Sequence, residues 1–354
     1  MGRLKRVKHI LRCGAGAVLW GALALILAPG GQAQTMPAVA QPGVVPAWQP
    51  AAGGKMEFEV ASVRENRSGG ESSSNFSLDS GNVYTVVNKG DASGPNGSYF
   101  AATGMPLVRF IIFAYKLSGT QELALRFNYF PGLKTSLPDW VKGARYDIAA
   151  RAPGTESKDQ MRLMMQALLA DRFNLQAHWE TRQAPVFALV VGRPGKTGPQ
   201  LLVHAAGEDC ASSSGGAQEA SAAVAAPKIE KDTGLPALCG VLAHLPPLTP
   251  GDIRFGGRDV SMELLATSLP TQTGMATLPR PVIDETGLVG SYDLSVEWSP
   301  EPAPASTAGA APEMPGASTT FVEALKEQLG LKLESTKGPV EILVIDHVER
   351  PSDN

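Results

Sequence analysis

The stretch from Phe321 to Val348 constrains the fold more than any other part of the chain. Phe321, Leu325 and Leu329 recur at helical spacing, and Gly330 stands where a helix C-cap favours a residue free to turn left-handed. Leu331 to Glu334 then alternates apolar and polar residues, Lys337-Gly338 predicts a turn, and Val340 to Ile345 is a β-prone run. The expectation is helix, strand, hairpin turn, strand. The last strand should be central in its sheet, with the helix Phe321–Leu329 packed across it. A similar pattern runs from Met161 to Val191: Met165, Leu169 and Phe173 on a helix, Asn174 at its end, then Leu175 to His178 and Pro185 to Val191 as strands. One supersecondary unit written twice predicts an α+β fold of two similar units, each laying short helices on an antiparallel sheet, joined by disordered linkers.

The N-terminus sets the compartment. Arg3, Lys5, Arg6, Lys8 and Arg12 precede an apolar run from Cys13 to Ala28, and Gly31-Gln32-Ala33 offers small residues before a cleavage point. That is the layout of a secretory signal peptide over residues 1–33, too short in its apolar core for a stable membrane span. Export to the periplasm or beyond follows as an expectation. Cleavage would remove Cys13 and leave Cys210 and Cys239, an even pair in an oxidising compartment. A bridge between them would tie off a loop, contributing roughly 3–4 kcal/mol on the chain-entropy account.

Composition then marks the boundaries. Twenty-eight prolines and 38 glycines in 354 residues, concentrated in Pro/Ala/Gly- or Ser-rich runs, imply long unstructured stretches. The predicted organisation is a tether over residues 34–55, a first α+β unit over 56–200, a low-complexity linker over 201–250 holding the disulfide, and a second unit over 251–350. A further linker is inserted at 300–317. Within the first unit, Leu107 to Lys116 is apolar nearly all round, which predicts a centrally packed helix. Glu122 to Pro138 reads as a long loop, and Val83 to Val87 as a short strand. In the second unit, Tyr292-Asp293-Leu294 mirrors Tyr146-Asp147-Ile148.

The chemistry-bearing residues form no familiar motif. Val282-Ile283-Asp284-Glu285-Thr286-Gly287 approaches the aspartic-protease signature, but Glu285 interrupts it and no second copy supplies the partner carboxylate. Gly192-Arg193-Pro194-Gly195-Lys196-Thr197 follows a strand but lacks the spacing of a phosphate loop, so it reads as an exposed turn. His178, His204, His244 and His347 show no metal-ligand spacing along the chain. His178 reads as a solvated strand residue, and Asp346 beside His347 could form a carboxylate–histidine pair. A net charge of −3 gives no general attraction to nucleic acid. These features predict a non-enzymatic extracytoplasmic binding or interaction module, with an unknown protein or small ligand as partner and no cofactor or metal. The alternative is a secreted hydrolase working through carboxylate and histidine side chains among Asp284, Glu285, Asp346 and His347.

Several ordered motifs carry a family resemblance. They are Phe58 to Arg64, Arg145-Tyr146-Asp147-Ile148, Leu168 to Phe173 and Glu180-Thr181-Arg182. With them stand Arg280 to Asp284 with Thr286-Gly287-Leu288, and Gly338 to Glu341 through Asp346-His347-Val348. Together they resemble the exported "soil-associated" domain family of unknown function, expanded in acidobacteria, from about Met56 onward. The resemblance implies no activity and no catalytic residues. Some relatives joined to membrane-embedded sensor metallopeptidases imply sensing or binding outside the membrane.

Overall fold

A computed structural model of the chain describes residues 41–78, 80, 98–130, 132, 133, 135, 137–205, 229–273, 277–300 and 319–351. The expected signal peptide, the first part of the tether, the strand at Val83 to Val87, Cys210 and nearly all of the 300–317 insert lie outside the described residues. Among the described residues, no helix is long and apolar enough to cross a membrane.

The architecture is α+β, built from three four-stranded sheets with short helices packed against them. In the first sheet β5 (Arg145–Arg151) lies between β2 (Val60–Asn66) and β4 (Tyr99–Pro106), and β3 (Ser73–Ser74) closes the far side of β4. All of these pairings are antiparallel. In the second sheet β11 (Ser291–Trp298) lies between β7 (Leu201–Val203) and β9 (Ile253–Ser261), with β8 (Val241–Leu245) beyond β9, again all antiparallel. The third sheet is mixed. β6 (Gln176–Val191) pairs antiparallel with β12 (Leu331–His347) and with β1 (Gln41–Pro42), and parallel with β10 (Val282–Asp284).

Neither expected hairpin exists. β6 and β12 are single strands of 16 and 17 residues, paired with each other from Leu331↔Val191 to His347↔Gln176. Lys337-Gly338 does not turn, because Gly338 is extended and stands opposite Ala184 in the ladder. A Cβ at Gly338 would meet the Ile283 methyl at 2.7 Å, so glycine serves close packing here rather than reversal. The final strand is buried, with Val340, Ile342, Leu343 and Ile345 shielded, but the expected central place is not taken. Among the described residues β12 has β6 as its one strand partner and so lies at the sheet's edge, and the helix from Phe321 packs on β9 and β11 instead of across these residues. Its sheet partner is β6 of the other half of the chain rather than a strand of its own half.

The helices start and stop at legible signals. α1 (Trp48–Ala51) is a single turn. α2 (Leu107–Ala114) buries seven of its eight residues and ends where Lys116 adopts φ +53°. α3 (Gly119–Phe127) begins at a reciprocal capping box of Ser118 and Gln121, so the first part of the expected 122–138 loop, residues 122–127, is helix. α4 (Asp139–Gly143) carries Trp140. α5 (Lys158–Phe173) has the same box, Ser157 with Gln160, and stops at left-handed Asn174; each such cap is worth about 1 kcal/mol. α6 (Met262–Gln272) is capped by Ser261. α7 (Phe321–Ala324) passes into a π-helical turn over Leu325–Leu329 and ends at Gly330, φ +71°.

Three apolar clusters result. The first gathers α2, α5 and the inner residues of β4 and β5, and takes Leu343 and Ile345 from β12. The second packs α6, α7 and the π turn on β9 and β11, with Trp298 edge-on to both Phe255 and Phe321. The third lies over the middle of β6 and β12, where Leu123, Phe130 and Leu133 cover Ala184, Val186, Val340 and Ile342.

Candidate functional site

The expected site residues are not brought together. Asp346 and His347 sit where the β12–β6 register slips, between Ile345↔Ala177 and His347↔Gln176, and each finds another partner. Asp346 binds His178 Nδ1 at 2.7 Å, and His347 Nε2 binds Glu349 at 2.7 Å. Asp284 accepts from the Thr286 amide and hydroxyl at 2.9 and 2.8 Å, the local turn that its sequence suggested. Glu285 donates its amide to Leu189 O. His178 also contacts Glu180, which Arg182 holds in turn; Glu180 and Arg182 are half-buried, while His178 and Asp346 are exposed at 45% and 46%. The hydrogen bonds from Asp346 and Glu180 raise the His178 pKa above its ordinary value.

The second sheet does converge chemistry at one end. His204 follows β7 directly, and its amide donates to Ser291 O at 2.9 Å, extending the β7–β11 pairing by one residue. Cys239 precedes β8 and bridges to Arg258 of β9, where the Gly240 amide reaches Arg258 O at 2.8 Å. Asp259 sits on β9 itself. The ligand atoms of His204, Cys239 and Asp259 lie within 4.8 Å of one another, with Cys239 buried and the other two half-buried. Each of three chain segments thus supplies one donor, and the central strand β11 stands behind them.

β11 fixes these donors through two side chains. Asp293 Oδ1 lies 2.8 Å from His204 Nδ1 and accepts the Asp259 amide at 3.0 Å. Ser291 Oγ donates to Asp259 Oδ1. A carboxylate on one ring nitrogen fixes the imidazole's tautomer and orientation, the arrangement that accompanies histidine ligands in metal centres.

Asp259 owes its position to a bulge. The register of β9 against β11 slips between Gly257↔Leu294 and Val260↔Tyr292, so Arg258 and Asp259 together oppose Asp293. Asp259 adopts φ +53°, a left-handed conformation costly for most residues. The first sheet contains the counterpart. β4 slips against β5 between Ala102 and Met105, Gly104 takes φ +63°, and Asp147 Oδ1 accepts the Gly104 amide at 2.7 Å. The backbone task is the same in both sheets, and glycine performs it without strain in one of them. Asp259 therefore adds something the backbone does not require, a carboxylate aimed at His204 and Cys239.

With Cys239 reduced to its thiolate, a nitrogen, a sulfur and an oxygen donor would form a set suited to zinc, with a fourth tetrahedral position left for water. Tetrahedral ligation at zinc bond lengths brings donor atoms about 3.5 Å apart, so the cluster is open by up to about an ångström. Cys239 is disulfide-bonded, and since it is the only cysteine among the described residues, no bridge between two described cysteines exists. The expected Cys210–Cys239 loop tie is corrected to that extent: Cys239 is part of a polar cluster, and Cys210 lies outside the described residues. The thiolate is the form of cysteine that ligates a metal.

This cluster overturns the expectation of a purely non-enzymatic module without metal-ligating or catalytic groups. It escaped sequence reasoning because its members are spread from residue 204 to residue 259 and come from three strand ends. One signal was available. Gly256-Gly257-Arg258-Asp259 interrupts a strand pattern with the residues that mark a bulge, beside a Tyr-Asp motif that the first sheet shares.

No curated protein and no solved structure matches the chain. Residues 109–348 match the model of a family described as "Protein of unknown function (DUF3738)". That span takes in α3, both long strands and every residue of the cluster, and the chain belongs to the DUF3738 family.

Proposed function

We propose that this protein is an exported hydrolase whose active centre is the His204–Cys239–Asp259 cluster, with a divalent ion of the zinc class held by those three side chains. The observation that carries the reading is the convergence of three donor atoms of different chemistry within 4.8 Å. An ion held there would supply a Lewis acid that acidifies a bound water. Asp293 keeps the imidazole oriented and favours its role as a ligand. Ser291 holds the Asp259 carboxylate in place from the opposite side. Export rests on the basic, apolar and small-residue succession of residues 1–33. The "soil-associated" kinship, and descent of the two antiparallel sheets from one duplicated unit, belong to the same proposal. The shared bulge and the paired Tyr-Asp motifs support that descent.

The test is hydrolysis by the full-length mature protein, reduced, desalted and supplied with zinc, on activated carboxylic and phosphate esters and on peptide amides. Hydrolysis that chelation abolishes, zinc restores and His204→Ala eliminates is the expected result. Equal rates for wild type and His204→Ala on every substrate class would refute the assignment.

A further inference from the structure

The two antiparallel sheets share a plan but differ in what lies on their outer faces. In each, the inner face feeds an apolar cluster: Phe100, Tyr146 and Ile148 in the first, Phe255, Tyr292 and Leu294 in the second. Alternation along the strands turns Arg64, Asp147 and Ala149 outward in the first sheet, and Arg258, Asp293 and Ser295 outward in the second.

The outer face of the second sheet is closed by the chain itself. Glu230 reaches Arg258 at 2.9 Å, a Cβ on Gly234 would stand 3.8 Å from the Arg254 guanidinium, and Cys239 meets Asp259. Leu235 and Ala237, between those contacts, are buried, as are Arg258 and Ser295 on the sheet. The cover thus consists of one acidic side chain set on an arginine, followed by small and apolar residues.

Among the described residues nothing covers the counterpart face of the first sheet, where Ser62, Arg64, Tyr99, Thr103 and Arg151 are all exposed. Ser62, Ala149 and Ala101 stand side by side across three strands. They floor a cavity of about 320 Å³, with Tyr99 at one end and Arg64, Asp147 and Thr103 at the other. A sheet face built only for solvent carries polar side chains; this one has two alanines along its middle row. Asp147, the one acid in the lining, is engaged by Asn66 and by the Gly104 amide, both at 2.7 Å. Arg64 and Arg151 have no hydrogen-bond or ion-pair partner among the described residues.

We propose that this trough is a docking site for an acidic, small-residue segment of a partner protein, which closes the first sheet as residues 229–239 close the second. The site needs neither the His204 cluster nor an ion, so it stands or falls apart from the hydrolase reading. Its two free cations set the spacing of the partner's charges. Arg151 pairs with Val60, four residues along β2 from Arg64, which is about 13 Å at the usual rise of a strand. An extended segment with acidic residues four positions apart, and serine, alanine or glycine between them, reaches both guanidinium groups while its small side chains rest on the alanine floor.

The probe is a fluorescein-labelled peptide, Ser-Gly-Glu-Ser-Ala-Gly-Glu-Ser-Gly, and its control carries lysine at both glutamate positions. Fluorescence anisotropy at low salt follows binding to the full-length protein and to Arg64→Glu, Arg151→Glu, Ala149→Leu and Arg193→Glu. Near-ultraviolet circular dichroism checks the fold of each variant. The glutamate peptide should bind saturably and the lysine peptide should not. Arg64→Glu and Arg151→Glu should each weaken binding at least about tenfold, because attraction becomes like-charge repulsion. Ala149→Leu should abolish binding by filling the trough with no change of charge, and Arg193→Glu, on an exposed turn elsewhere, should leave binding as it was. Failure of the glutamate peptide to bind, or binding that Ala149→Leu leaves intact, would overturn the proposal. So would displacement by free glutamate as effective as by unlabelled peptide, which would make the trough a small-anion site. A dimer in sedimentation velocity that Arg64→Glu dissolves would assign the face to a second copy of this chain and overturn it as well.

Discussion

Asp259→Gly and Asp259→Ala remove the same carboxylate but differ in what they ask of the backbone. Both lose the hydrogen bond from Ser291, worth roughly 1.5–3 kcal/mol for a charged acceptor before the hydroxyl finds water. Glycine adopts the φ of +53° at position 259 without strain, while costing about 0.5–1 kcal/mol through the freedom of the unfolded chain. Alanine keeps the left-handed penalty of about 1–2 kcal/mol and lacks the local hydrogen bonding that makes Asp tolerable there. Asp259→Gly should therefore be destabilised by about 1–2 kcal/mol, and Asp259→Ala by about 1 kcal/mol more. Gly104→Ala supplies the control at the counterpart bulge. Its added Cβ would meet Glu71 O at 3.4 Å, an ordinary contact, so backbone strain alone should cost about 1–2 kcal/mol. Guanidinium unfolding followed by circular dichroism gives the differences, and a gap of this size also moves Tm by about 2–4 °C. Should Asp259→Ala prove as stable as Asp259→Gly, the strained bulge is wrong and the inference of a carboxylate held there for chemistry goes with it.

At the surface, His178 is hydrogen-bonded to two carboxylates, Asp346 and Glu180. Its pKa is raised by the hydrogen bonds from Asp346 and Glu180, so its contribution to stability is present below about pH 6.5 and fades as pH rises through the raised value. Proton NMR of the imidazole should show a midpoint above 6.5 that Asp346→Asn lowers; an unchanged midpoint would exclude the pair. In the core, Glu122 is only 7% exposed and is gripped by Arg109 at 3.2 Å and by Arg126. Glu122→Ala would remove the shared partner of two partly exposed guanidinium groups and should cost about 1–3 kcal/mol. A loss below 1 kcal/mol in urea melts would place those arginines in solvent instead.

The local elements were largely legible in the chain. The run from Leu107 to Lys116 announced a buried helix, and Asn174 and Gly330 marked helix ends by their tolerance of positive φ. The Ser118–Gln121 capping box was equally readable but passed over, which turned α3 into a loop. Long-range pairing was not legible. Lys337-Gly338 resembles a hairpin turn, and a break was expected between Leu175–His178 and Pro185–Val191, yet both places lie in extended strand because β6 and β12 pair along nearly their whole length. The cluster failed for a related reason. Its residues meet only when the sheet is assembled in the order β7, β11, β9, β8, and sequence periodicity gives the faces of a strand but not its neighbours.

The β6–β12 ladder also dictates when the molecule can become native. It joins residues roughly 140–170 positions apart, a separation that slows folding because the closure entropy precedes any contact energy. Leu343 and Ile345, contributed by the C-terminal strand, complete the apolar cluster beneath the first sheet. That cluster cannot close during synthesis until β12 emerges, and a chain truncated before Pro339 would leave Gln176–Gln183 of β6 without its β12 partner. Such an ordering holds back full compaction until the last strand is available.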